Sequence, residues 1–211
     1  MRNAKQKILD TSRHLFNDLG FSQVTIRMIA NKLEISSGNL NYHFRKREDI
    51  LEALYFEMVK VFDQRIERLG DEQISLQLMQ ADIQASMQRM IDYRFFWTDL
   101  YYLLKSNDKI KKHFIAVKTE RIDGYKMVFE VLMNQKILKK TSFANEHRFL
   151  IQRMIDYSNT WLYASQLYDT KKNSIEMIRT ASFQLLSMLY PYLTTLGQQH
   201  FQDLFADFFS E

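Results

Sequence analysis

From Ser37 to Arg47 the chain reads SGNLNYHFRKR, and its polar groups offer directed hydrogen bonds and charge. Ser37, Gly38, Asn39 and Asn41 are left outside when Leu40 and Phe44 turn inward. An Asn carboxamide can pair bidentately with an adenine edge, and a glycine lets backbone come close to a groove. Thr25, Tyr42, His43 and Arg47 present hydroxyl, imidazole and cationic donors suited to phosphate oxygens, which fix register without reading sequence, and the helix start at Lys46 offers free backbone N–H groups to a phosphate. Arg27, on the preceding helix, can reach a base or a phosphate. Singly, each has a plainer reading as a cap, a packed turn residue or a solvated charge; together they point to double-stranded DNA.

Other chemistries find little support. The chain has no Cys, which removes disulfides, thiolate metal sites and cysteine nucleophiles. The five His are scattered, and the Glu-x-x-His motif of carboxylate-bridged bundles is missing. His200 and Asp203 have helical spacing, but two groups do not make a site. No catalytic residue, metal or cofactor is expected, and an enzyme on a helical bundle is the weaker alternative.

The elements that must hold these residues read as helices. Gly (5) and Pro (1) are too scarce for the frequent turns of a β fold, so the expected class is all-α. Ile8, Leu9, Leu15, Phe16 and Leu19 make one face of a helix over 3–19, stopped by Gly20. Thr25 caps a second helix with Ile26, Ile29, Ala30 and Leu33 inside. Glu34-Ile35-Ser36 forms a turn, Ser36 or Ser37 caps a third helix, and a long helix runs from Lys46 to about Leu69. Further helices are expected over 74–92, 94–105, 108–137, 144–168, 174–196 and 198–209, with Pro191 kinking or starting one.

Charge and aromatics divide the chain. Residues 1–50 hold nine Lys/Arg against five Asp/Glu, which accounts for the whole net charge of +4. A basic patch attracts the phosphate backbone without regard to sequence. The first 50 residues carry four aromatics, and the remainder carries most of the 14% aromatic content. We therefore expect a DNA-binding domain at 1–48 and a larger domain at 49–211. With no apolar run of membrane-spanning length and no signal-peptide pattern at MRNAKQKILD, a soluble cytoplasmic protein is expected.

Thr25-Ile26-Arg27-Met28-Ile29-Ala30, Leu33, Ile35-Ser36, Gly38 and Leu40-Asn41-Tyr42-His43-Phe44, with Leu15-Phe16, Gly20-Phe21 and Arg47-Glu48, resemble the N-terminal domain of the TetR family of bacterial regulators. The resemblance covers about residues 5–55. It departs at Asn41, where the family usually has Tyr, and at Glu34, where a Gly or small residue is usual. Tyr93 to Leu100 also resembles one subgroup of TetR-like C-terminal domains. The resemblance implies a three-helix helix-turn-helix domain, a larger helical ligand-binding and dimerisation domain, and a homodimer whose effector controls the spacing of the two reading helices.

In the second domain, Phe62, Phe96, Trp97, Tyr101, Tyr125, Phe129, Tyr157 and Trp161 are candidates to line an effector cavity, with Asp99, Arg94, Asn159 and Gln166 as polar anchors. Ordinary core packing is the alternative for each aromatic. The last two long helices are the expected dimer surface, since two reading helices must meet successive major grooves. The function expected is a repressor released from a palindromic operator by a small, largely apolar or aromatic molecule. An activator, or a regulator without an effector, is the alternative.

Overall fold

The computed structural model describes residues 4–69, 74–168 and 173–209; for 61–69 only the helical backbone is described. Among the described residues every regular element is helical, and the sole extended pairing is a single bridge between Leu138 and Leu193. The chain forms two compact units, one of residues 1–67 with 92–112, the other of 68–91 with 113–211. This division differs from the boundary expected at residue 48: the start of the long fourth helix and the distant segment 92–112 group with the N-terminal helices.

The first unit begins with α1 (Ala4–Leu19), which buries Ile8, Leu9, Ser12 and Phe16. Gly20 ends it at φ 81, a left-handed conformation that costs glycine little. Helices α2 (Ile26–Lys32) and α3 (Ser37–His43) follow. Next comes α4 (Arg47–Leu69), whose Ile50, Leu51, Leu54, Tyr55 and Met58 are buried. The helix expected over 94–105 is instead two, α6 (Arg94–Thr98) and α7 (Leu100–Ser106), the chain reaching them from α5 (Leu76–Asp92). Phe95, Phe96 and Trp97 are consecutive and all buried, so no side of α6 is left for water. Thr98 Oγ1 donates back to the Arg94 carbonyl at 3.1 Å, which competes with helix continuation.

Side chains from 92–107 stitch this unit together. Asn17 donates to the Asp92 carbonyl (2.9 Å) and accepts from the Phe95 amide (3.1 Å), while Arg94 reaches the Asn17 carbonyl (3.0 Å) and Asp18 (2.9 Å). On α4, Glu57 accepts from Tyr93 (2.5 Å) and Gln6 (3.0 Å). The Phe16 ring lies 5.1 Å from Phe21 and 5.3 Å from Phe95, so one aromatic joins α1, the following turn and α6.

The second unit holds most of α5, the greater part of α8 (Asp108–Asn134), α9 (Glu146–Tyr168), α10 (Ser174–Ser187) and α11 (Thr195–Leu204). The helix expected over 174–196 stops at Ser187, and Pro191 sits in a 3-10 turn, Tyr190–Tyr192. Thr194 then caps α11 through the Gly197 amide (3.1 Å) and donates to the Lys136 carbonyl (2.6 Å). A Cβ at Gly197 would lie 2.3 Å from the Ile137 carbonyl oxygen, so only glycine permits this approach. Phe183 of α10 stacks on Phe208 at 4.1 Å and meets Phe205 edge-on, closing the C-terminal end.

Candidate nucleic-acid interface

Two side-chain caps build the helix-turn-helix. Thr25 Oγ1 accepts the Met28 amide at 3.2 Å and starts α2; Ser36 Oγ accepts the Asn39 amide at 3.1 Å and starts α3. Ser36 is thus the cap, and Ser37 is the first helical residue. Between the helices Glu34 takes φ 56. An L residue is strained there, which accounts for the small residue usual at this position. Ile29, Ala30 and Leu40 are fully buried where α2 and α3 cross, and Ala30 lets them approach.

That crossing leaves the expected contact residues outside. Thr25, Arg27, Ser37, Gly38, Asn39 and Asn41 are exposed, as is Lys46, and Tyr42 is 86% exposed. His43 is half-buried, its ring edge-on to Tyr42 at 5.1 Å. Lys5, Tyr42, His43, Arg45 and Lys109 share the walls of an open recess of about 440 Å³ with the first turns of α4.

Two groups at the start of α4 that are expected on phosphate have partners within the chain. Arg47 is expected on phosphate, yet its Nη1 lies 3.0–3.1 Å from the carbonyls of Phe21, Ser22 and Val24, and its guanidinium sits 4.3 Å over the Phe21 ring. The turn after α1 ends without helical partners for these carbonyls, and Arg47 satisfies them. It buckles that turn to α4 through Nη1, whose donors are already engaged. The Lys46 amide, expected to be open to phosphate, is bonded to Asp49 Oδ2 at 3.1 Å. The Lys46 side chain remains exposed.

The expected effector aromatics do not gather in one cavity. Phe96, Trp97 and Tyr101 belong to the first unit; Tyr125, Phe129, Tyr157 and Trp161 belong to the second. The Phe62 side chain lies outside the described residues. Phe96 is 1% exposed, packed between Tyr55 and Trp97 at 5.1 and 5.5 Å. Tyr101 is 80% exposed, so it lines no interior of its own unit. Phe129 and Trp161 are buried core, with Trp161 Nε1–H on the Met90 sulfur at 3.2 Å. Tyr125 is half-buried beside Phe129. Tyr157 donates to Gln184 at 2.6 Å, and burial pushes its phenol up to about 12. None of the eight lines the recess of about 380 Å³ bounded by Ile74, Leu76, Gln135, Ile137, Leu196 and His200. Of the expected anchors, Arg94 is engaged by Asn17 and Asp18, and Asn159 accepts from Arg121 at 2.8 Å. Arg121 was not expected to matter: a lone arginine on a long helix carries no sequence signal of burial.

Among the described residues, no group of three or more His, Cys, Asp or Glu could hold a metal, and no helix is long and apolar enough to cross a membrane.

Comparison with known proteins agrees with this architecture over nearly the whole chain. The model of bacterial regulatory proteins of the tetR family matches residues 8–54, and that of a bacterial transcriptional repressor matches 57–201. The HTH-type transcriptional regulator QacR of Staphylococcus aureus is 26% identical over 139 residues, covering 61% of this chain and 70% of its own. A TetR-family regulator from Marinobacter aquaeolei superposes with a TM-score of 0.87 at 26% identity, covering 96% of this chain and 97% of its own. A regulator from Saccharomonospora viridis solved with choline shares the fold, with a TM-score of 0.70 at 17% identity over 92% of this chain and all of its own. A capped helix-turn-helix with an outward polar face, followed by a larger helical region that matches in the same order, makes this chain a member of the TetR family of bacterial transcriptional regulators and not an enzyme.

Proposed function

We propose that the protein is a repressor that occupies a palindromic operator as a homodimer and leaves it when a small, largely apolar or aromatic effector binds the second unit. The observation that carries this reading is the outward face of α3, where Ser37, Gly38, Asn39, Asn41 and Tyr42 are all exposed while Leu40 is fully buried. Asn39 and Asn41 read base edges, and Thr25, Arg27, Tyr42, His43 and Lys46 hold the backbone. The second match, to a bacterial transcriptional repressor, favours repression. Effector release is favoured by relatives solved with small molecules: choline in one, triclosan in the Stenotrophomonas regulator that represses a multidrug efflux pump. An effector shifts the population only by binding the released state better than the DNA-bound state.

The dimer surface would be α9 with α10. Phe149, Tyr163 and Leu167 are each at least half exposed, and steps of fourteen and four residues put them on one face of α9; Ile175 of α10 is 78% exposed. Such an apolar stripe is what a twofold helical interface needs.

Selection from a random DNA pool followed by anisotropy titration at several salt concentrations tests the reading. Expected is a palindromic site bound with steep salt dependence, with Asn41→Ala costing about 1–3 kcal/mol on that site and little on random DNA. Absence of any sequence preference would sink the proposal.

A further inference from the structure

Arg121 of α8 is held by two neutral acceptors on α9. Its Nη1 donates to Asn159 Oδ1 at 2.8 Å and its Nη2 to Ser158 Oγ at 2.5 Å. The Ser158 proton goes to the Ile155 carbonyl at 2.9 Å, so the hydroxyl meets the guanidinium purely as an acceptor. No carboxylate among the described residues bonds to Arg121; Asp156 acts on it from a distance, with Oδ1 taken by Gln152 at 2.6 Å. Burial pushes the guanidinium below its ordinary value, while the residue keeps a partly exposed edge. Tyr125 stands one turn along α8, its ring 6.2 Å from buried Phe129, and Ile155, Trp161 and Leu162 of α9 are buried.

A withdrawn cation hydrogen-bonded only to neutral acceptors is costly, and the cost is recovered when an anion arrives. A guanidinium has five N–H donors, and two are used here. The others can fork onto a planar anion in a way an ammonium cannot. A single cation in apolar surroundings suits one negative charge better than two.

We propose that Arg121 anchors an effector site for a small monocarboxylate carried on an apolar body. Asn159 and Ser158 fix the guanidinium, and Tyr125 flanks it. The inference rests on the reading that the second unit takes an effector, and it names that effector's chemical class.

Titration calorimetry on the full-length protein, without DNA, tests it. The probes are decanoate and benzoate, with decan-1-ol and decyltrimethylammonium as neutral and cationic counterparts. Expected is binding of at least one anion at least about tenfold tighter than decan-1-ol or the ammonium, as charge-assisted forked bonds allow. Arg121→Gln should abolish that preference, and Arg121→Lys should weaken it several-fold by losing the fork. Lys126→Gln, removing an exposed cation that pairs with Asp123 on the same helix, should bind like the parent. If Arg121→Gln does not fold, the Lys variant carries the comparison. Binding of neither anion, equal binding of the neutral or cationic probe, or parent-like anion binding by either Arg121 variant would overturn the proposal. Release of operator DNA by each probe is measured separately. Release by a neutral or cationic probe with no anion binding overturns the carboxylate anchor and leaves effector release standing. Anion binding through Arg121 with no release of operator by the bound anion overturns Arg121 as an effector anchor and leaves effector release by another ligand standing.

Discussion

Arg47 shows how a side chain's partners, and not its charge, set its role. In sequence it belongs to a basic cluster with Arg45 and Lys46 that suits phosphate. In the fold its Nη1 serves three carbonyls of the turn after α1, and only 24% of its side chain is exposed. Arg47→Ala is therefore expected to cost about 2 kcal/mol of folding stability by stranding those carbonyls, read as a lower midpoint in urea unfolding. The salt slope of DNA binding by the folded variant should stay unchanged. Lys46→Ala should do the opposite, leaving stability alone and flattening the slope by roughly 0.9 for each phosphate it no longer neutralises. Glu34 is visible in the sequence as a departure, but its φ of 56 is what makes the departure a strain.

The elements are held by a few polar contacts that periodicity does not reveal. Glu52 on α4 accepts from Lys109 (2.9 Å) and Asn107 (3.1 Å), and Asn107 Oδ1 accepts the Ile110 amide at 3.0 Å as α8 begins. The bond from Lys109 holds the Glu52 carboxyl below its ordinary value of 4.5. A carboxylate lowered in the folded state contributes stability that is full above 4.5 and is lost as pH falls below it toward the folded value. Glu52→Gln should flatten the stability profile in that acidic window, by less than about 1 kcal/mol because Lys109 is largely exposed. At the other end of the chain, Gly197→Ala places a Cβ 2.3 Å from a backbone oxygen. It should cost on the order of 2–3 kcal/mol, checked by chemical denaturation. Most helix positions were legible from apolar spacing, since a buried face repeats at 3.6 residues whatever it packs against. The break at Asp99 was not, and near Ser187 only a disruption at Pro191 was, without its position or form. The first depends on three consecutive aromatics being buried together, the second on a turn whose partners are Lys136, Ile137 and Lys139, about 50 residues earlier.

At the scale of the molecule, the N-terminal unit recruits residues 92–112, and the remaining chain supplies the second unit. If α9 and α10 carry the dimer, Leu167→Glu should yield monomers in sedimentation velocity and weaken operator binding at least about tenfold, because each half-site alone is a weak target. A dimer that persists in Leu167→Glu and in Phe149→Glu would place the interface elsewhere.

The all-helical class, the helix-turn-helix and the outward identity of Ser37, Gly38, Asn39, Asn41 and Tyr42 were legible in the order of the residues alone. These follow from local rules: an apolar period, side-chain caps and a short turn, all within a span of about 20 residues. It took the packing of distant segments to turn Arg47 inward, to make Phe96, Phe129 and Trp161 packed core, and to give Arg121 neutral partners. Those outcomes depend on which distant residue occupies the facing position, and the spacing of residues along one helix carries no information about that neighbour.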